Sequence, residues 1–245
     1  MRGGQSARLT VLMLLATSTA WATSGNAGEA WEVIGPLEVL ASCRPGASGP
    51  LFTDSRGFQW PLIMAPHDAA IPNCGAGSFK PAPEAWVREA LEMMDPRVKA
   101  LVHCRVFILP FPRRGLLRSS CDGQAIYISP GVRPLTRGIV HFLIFHEIGH
   151  LIQRRLLPDW DGAGWQRYRK IRGITDSRVF SAEARHADRP HEIFAEDFRL
   201  LYGSPWARSV QPLEISLAPP LESLDSVRDF LEALLSYPVG KPHQG

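Results

Sequence analysis

The amino-acid sequence predicts an α+β protein, and three features of its hydrophobic pattern indicate this fold class. Short extended runs separated by glycine and proline occupy the region before about residue 80. A helical segment then precedes two apolar runs that have the length of buried strands. The remainder is mainly helical, and its first long helix is apolar around almost its whole circumference, as buried helices are.

The first 22 residues have the layout of a secretory signal peptide. Arg2 and Arg8 form a positive start, a short apolar run follows, and Ala20 and Ala22 stand at the −3 and −1 positions of a cleavage site. The apolar run is shorter than the roughly 20 residues that a membrane-spanning helix needs. We therefore expect export to the periplasm or the extracellular space without a stable membrane anchor. The alternatives are a buried N-terminal helix and a membrane anchor.

Residues 23–78 are predicted to form a small β-rich N-terminal region, and residues 79–245 a larger domain. In the first region, residues 31–34 and 58–63 are extended runs, and the glycine and proline residues between them favour turns. In the larger domain, Pro96 is expected to end the first helix and Thr136 to cap the long apolar one. We expect helices at about 83–94, 136–156, 191–202 and 221–235, and strands at 106–109 and 125–128.

The charge of the chain argues against a nucleic-acid partner. Removal of the signal peptide lowers the formal net charge from +3 to +1, because that segment contains two arginines and no acidic residue. A nearly neutral chain lacks the basic footprint that nucleic-acid-binding proteins have. We expect a monomer without nucleic acid.

The chain contains four cysteines, and an even number in an exported protein favours two disulfides. The spacing does not match a cysteine zinc site, and three connectivities are possible. We prefer Cys43–Cys74 and Cys104–Cys121, because each of these bonds closes a loop within one structural unit.

The long apolar helix contains the sequence His146-Glu147-Ile148-Gly149-His150. Residues four apart lie on one face of a helix, so both imidazoles can reach a single ion. Zinc accepts imidazole nitrogen at about 2.0–2.1 Å, and Glu147 stands beside the pair, where it can contact a zinc-bound water. Gly149 is unfavourable inside a helix, which suggests that another backbone or the metal site comes close to it. The motif therefore predicts a catalytic Zn²⁺ site.

A catalytic zinc usually has three protein ligands, so a third ligand is expected downstream. In one extended form of the HExxH motif, a glycine and a third ligating histidine follow shortly after the second histidine. The chain has Gln153 and Leu156 at these positions, so this extended motif is absent. The candidates are Asp161, Asp176, Glu183, His186, Asp188, His191, Glu192 and Glu196.

Glu192 is the preferred third ligand because of its setting on a predicted helix. Glu192 and Glu196 are four residues apart and share one helix face, while apolar neighbours can dock the helix on the core. One carboxylate can then bind zinc while the other accepts a hydrogen bond from a ligating histidine and so fixes its ring. The alternative is that both carboxylates belong to a solvated face.

These two motifs resemble those of the glutamate-zincins. HEIGH followed some forty residues later by E-x-F-A-E-x-F is most similar to the catalytic domains of lethal-factor-type toxins and of secreted Pro-Pro endopeptidases. The resemblance covers about residues 83–202. It implies zinc on His146, His150 and Glu192, with Glu147 as the base and Glu196 supporting a ligand. It also implies a zincin-like metallopeptidase fold, with a small twisted mixed sheet, a buried HExxH helix and C-terminal helices.

The chain departs from this family at one position. The family has a tyrosine about two helical turns before the glutamate ligand, where it stabilises the oxyanion, whereas the matching position here is Arg185. His186, Arg185 and Tyr202 are the candidates for this role, and we place His186 among the catalytic residues.

We therefore expect a secreted zinc-dependent endopeptidase that hydrolyses a peptide or protein substrate with zinc-activated water and Glu147 as general base. Two alternatives stay open: a zinc-binding, zincin-like module without proteolytic activity, and a structural exported protein in which the motif arose by chance.

Overall fold

The computed structural model describes residues 31–72, 77–212 and 224–236 and has an α+β architecture, as the sequence predicts. The predicted signal peptide at residues 1–22 lies outside these ranges. Among the described residues, we find no helix with the length and apolar character needed to cross a membrane. The strands are β1 (Trp31–Ile34), β2 (Leu51–Thr53), β3 (Gln59–Pro61), β4 (Cys104–Ile108), β5 (Ser120–Cys121) and β6 (Ala125–Ile128). The helices are α1 (Pro36–Ser42), α2 (Glu84–Glu92), α3 (Pro96–Leu101), α4 (Arg137–Leu156), α5 (Gly162–Arg172), α6 (Pro190–Tyr202), α7 (Pro205–Ser209) and α8 (Leu224–Leu235).

The main sheet is mixed and has the strand order β1-β4-β6-β5. β1, β4 and β6 are parallel, whereas the short β5 pairs antiparallel with β6 at one edge. β1 belongs to the stretch that the sequence assigns to the N-terminal region, yet it pairs with β4 in the main sheet, where Val33 lies opposite Val106. β2 and β3 form a separate two-stranded hairpin.

Alternation of side chains along the central strands builds a core on each face of the main sheet. Val106 and Ile108 of β4 face the larger core with α4, α2 and the C-terminal helices. Phe107 of β4 and Tyr127 of β6 face the smaller core beneath the β2–β3 hairpin. Apolar residues on both faces give β4 and β6 continuous hydrophobic sequences, which is typical of parallel strands buried on both sides.

Helix α4 is the central element of the larger core. Thr136 caps it, since its side-chain oxygen accepts a hydrogen bond from the backbone nitrogen of Ile139 at 3.3 Å. Nearly every residue from Val140 to Gln153 is buried. A helix that is apolar on all sides requires partners all round, and here it packs against the sheet, α2, α6 and α7.

Several helices were not predicted, although their end signals are present in the sequence. α5 begins after Asp161, whose carboxylate accepts from the backbone nitrogen of Gly164 at 2.9 Å, and it ends at Gly173 with φ of 76°. Pro96 ends the preceding helix as expected but also starts α3, capped by Asp95. α1 lies in the region predicted to be β-rich.

Gly149 in α4 allows α6 to approach unusually closely. A Cβ atom at this position would lie 2.7 Å from the Cα of Ala195 and 2.8 Å from its carbonyl oxygen. Two helix backbones can meet this closely only where the intervening residue has no side chain. The sequence-based expectation that another backbone lies near Gly149 is confirmed.

The predicted Cys104–Cys121 disulfide is not formed. Cys43, Cys104 and Cys121 are free thiols, while Cys74 lies outside the described residues. β6 runs between the strands that carry Cys104 and Cys121, so two strand spacings, about 10 Å, separate their backbones. This exceeds the roughly 7 Å that a disulfide can bridge between Cα atoms.

We predict that Cys104 and Cys121 are both alkylated when the purified protein is unfolded in denaturant without a reductant. Denaturant is required because Cys104 is buried. Mass spectrometry of the digested protein measures the result, and a cross-linked peptide pair containing these two residues would contradict it.

Gly149→Ala should lower the melting temperature. In an open helix this change stabilises by about 1 kcal/mol, but here the added methyl group meets the Ala195 backbone. Overpacking of this kind costs about 1–3 kcal/mol. The control is Gly162→Ala at the start of α5, where a Cβ meets nothing within 4 Å. Thermal unfolding compares the two variants, and a Gly149→Ala protein that melts no lower than the wild type would disprove the tight contact.

Candidate metal centre

Helix α4 presents the side chains of His146, Glu147 and His150, all of which are buried. The two imidazole rings meet edge to face with centroids 4.8 Å apart, and the ring of Phe142 stacks on His146 at 5.8 Å. Their spacing of four residues places both rings on one helix face. The pair is therefore held in a fixed orientation inside the protein.

Helix α6 brings Glu192 to this pair. Its Oε2 atom lies 3.3 Å from Nε2 of His146 and 3.1 Å from Nε2 of His150. All three ligand atoms lie within 4.8 Å of one another. Ligands that bind a tetrahedral ion at about 2.0–2.1 Å are separated by roughly 3.3 Å, close to the two measured distances. This buried group could hold a metal ion.

The electrostatic balance of the group favours a positive charge at its centre. Burial alone would raise the pKa of Glu192, but hydrogen bonds to His146 and His150 hold it well below its ordinary value. Burial lowers the pKa of His146, yet the neighbouring carboxylates of Glu192 and Glu196 raise it overall to about 10. In the metal-free protein a proton on His146 can supply this charge, and a metal would replace it, since ligating histidines must be neutral.

Glu196 lies behind His146, on the side of the ring opposite Glu192. Its Oε2 atom is 3.5 Å from Nδ1 of His146, a buried atom without a hydrogen-bond partner. Arg199 holds the carboxylate from the other side with two hydrogen bonds of 2.8 and 2.7 Å. A shift of about half an ångström would let the Nδ1–H of His146 donate to Glu196 at a normal distance. This placement suits the orienting role expected for Glu196.

Glu147 lies beside the edge strand β5. β5 packs against α4, and burial, followed by the charge of nearby Glu147, raises the pKa of the Cys121 thiol on that strand. Glu147 is thus next to the candidate ligands along α4 and next to the edge of the sheet.

His186 is also brought to the centre. It begins the 3₁₀ turn His186–Asp188 that precedes α6, and its Nε2 atom lies 3.0 Å from Oε1 of Glu192. Nε2 of His191 lies 3.5 Å from the same oxygen. His186 therefore contacts the candidate ligand Glu192, and its contact is on the oxygen that faces away from His146 and His150.

The other residues considered as third ligands or oxyanion donors have different surroundings. Asp161 caps α5, Asp176 pairs with Arg178, and Tyr202 donates a hydrogen bond to Glu232 at 2.7 Å. Glu183 and Arg185 are exposed, while Asp188 is buried at the end of the 3₁₀ turn. Among the described residues, only Glu192 completes a three-ligand group with His146 and His150.

Sequence reasoning missed Arg199 and Cys121. The spacing of three residues between Glu196 and Arg199 is a helical ion-pair signal that could have identified the first. The proximity of Cys121 to Glu147 depends on the packing of β5 against α4, and local sequence carries no signal for it.

No known protein family, curated protein or solved structure matched the chain. A function for the chain therefore has to be inferred from its own residues and their geometry.

Glu192→Ala should weaken metal binding by more than about 100-fold. Changing a residue that only hydrogen-bonds to a ligand lowers metal affinity by roughly 10–100-fold, and losing a ligand itself should lower it further. The matched control is the exposed Glu183→Ala, a sequence-based candidate that the structure does not bring into the ligand group. Competition with a chelator gives both affinities. Normal binding by Glu192→Ala together with weak binding by Glu183→Ala would show that the ligand is misassigned.

Proposed function

We propose that the chain is an exported zinc-dependent endopeptidase of the glutamate-zincin type. His146, His150 and Glu192 are the zinc ligands in this proposal, and Glu147 is the general base. The observation that carries it is the convergence of two imidazoles and a carboxylate from α4 and α6, with a further buried carboxylate one residue from His146. The sheet order, with an antiparallel edge strand next to Glu147, is compatible with a zincin-like fold.

The donor set and its spacing favour zinc. Two imidazoles and one carboxylate form a ligand set found in catalytic zinc sites, which leave the fourth position for water. The same donors hold iron(II) in some oxygenases. Glu147 favours the hydrolytic assignment, since a carboxylate beside the ligands can accept a proton from water. Metal analysis of the purified protein distinguishes the two ions.

The side chains have separate tasks in the proposed reaction. When bound, zinc supplies Lewis acidity, which lowers the pKa of a coordinated water toward about 7 and polarises the scissile carbonyl. Glu147 accepts the proton of the attacking water and later donates it to the leaving amine. Glu196, held by Arg199, keeps the ring of His146 in its ligating orientation.

The position of β5 supports a peptide as the substrate. β5 is an edge strand of the main sheet, and it packs against α4, the helix that carries Glu147. Edge strands offer backbone groups that can pair with an extended peptide. A peptide paired there would have its backbone close to the general base.

A zinc-binding module without proteolytic activity is the second candidate. It is favoured by the departure at Arg185, where the family has its oxyanion-stabilising tyrosine, and by the exposure of this arginine. Stoichiometric zinc without cleavage of a peptide library would support the module, whereas the absence of metal binding would support a structural role.

Glu147→Gln should retain zinc but lose hydrolysis by at least about 100-fold, because an amide of the same size cannot accept the proton. The control, Glu183→Gln, makes the same chemical change at an exposed position and should keep wild-type activity. Cleavage rates of a library-derived peptide and the zinc content of each protein are the measurements. A fully active Glu147→Gln protein would rule out the proposed base.

A further inference from the structure

The carboxylate of Glu192 is surrounded by four imidazoles, divided between its two oxygens. His146 and His150 lie 3.3 and 3.1 Å from Oε2. His186 and His191 lie 3.0 and 3.5 Å from Oε1. One oxygen of this candidate ligand therefore faces the two histidines of the candidate metal centre, and the other faces His186 and His191.

This division matters because a carboxylate can bind a metal through one oxygen or through both. With one oxygen, Glu192 and the two histidines leave a position of a tetrahedral ion open for water. With both oxygens, the carboxylate would itself raise the coordination number and crowd that position. A donor held against Oε1 favours the first mode, because a hydrogen-bonded oxygen is a poorer second ligand.

His186 is better placed than His191 to be this donor. It is closer to Oε1, and its side chain is less exposed, at 26% against 36%. Its backbone position is also constrained. The backbone nitrogen of Asp188 donates to the carbonyl of Arg185 at 2.8 Å, and Pro190 then starts α6. The side chain of Arg189 binds the carbonyl of Ala184 at 3.0 Å.

We infer that His186 is a positioning residue that holds Oε1 of Glu192, so that Glu192 binds the metal through Oε2 alone and one coordination position stays available for water. This inference rests on the proposed metal site. It replaces the oxyanion role that the sequence suggests for His186 with a role exerted through Glu192.

The test uses the purified protein with cobalt(II) in place of zinc, since the visible absorption of cobalt is intense with four ligands and weaker with five or six. Two variants with the same amide group but different side-chain lengths test whether contact with Glu192, rather than a polar side chain as such, is required. The amide nitrogen of His186→Gln can extend about as far as Nε2, whereas the shorter His186→Asn keeps a polar amide that cannot reach Glu192. His103→Leu, at an exposed histidine just before β4, is the distant control.

We expect His186→Asn to bind cobalt with a clearly weaker absorption band and an affinity lowered about 10–100-fold, as is usual when an outer partner of a ligand is lost. His186→Gln should restore the wild-type spectrum, and His103→Leu should not change it. His186→Leu provides a second variant without any donor and should behave like His186→Asn. Circular dichroism verifies that each variant is folded.

Either of two results would overturn the inference, and the two can be told apart. If the wild type binds cobalt and the His186→Asn and His186→Leu spectra equal that of the wild type, His186 does not position Glu192, and the metal site itself is unaffected. If the wild type binds no cobalt or zinc, the proposed function fails and the role of His186 fails with it.

Discussion

The close approach of α4 and α6 at Gly149 and Ala195 is the constraint on which the candidate centre depends. Gly149 is adjacent to His150, and Ala195 is three residues from Glu192, so this contact sets the distance between the candidate ligands. The nitrogen–oxygen separations of 3.1 and 3.3 Å leave little freedom. A methyl group at position 149 would lie 2.7 Å from the Cα of Ala195, so the helices would have to move apart and the distances between the candidate ligands would increase.

The second requirement is compensation of buried charge, because an unpaired charge in a protein core is very costly. α6 carries three buried acidic residues, and each has a cationic or hydrogen-bonding partner. Glu192 faces the histidines, and Glu196 is bound by Arg199. Asp197, on another face, accepts from Arg172 and from the hydroxyl of Tyr168. Two of these carboxylates serve the candidate centre, while the third ties α6 to α5.

The elements that the sequence predicts well are those with strong local signals. α4, β4, β6 and α6 have long apolar patterns, and they occur close to the expected positions. α5 was missed because its apolar face is weak, although Asp161 and Gly173 mark its ends. The assignment of Trp31–Ile34 to a β-rich N-terminal region did not anticipate its pairing with β4, because strand pairing is a long-range interaction. The Cys104–Cys121 pairing went wrong for the same reason, since β6 separates the two strands.

The sequence by itself determined that His146, Glu147 and His150 share one buried helix, because helical periodicity alone places residues four apart on one face. It also singled out Glu192 and Glu196 as a pair and Gly149 as a site of close approach. Only the tertiary structure decided that Glu192, and not Asp161, Asp176 or Glu183, meets the histidines, since contacts between distant segments depend on how α6 packs on α4. It alone placed His186 on the outer oxygen of Glu192, through a turn whose direction is set by that packing.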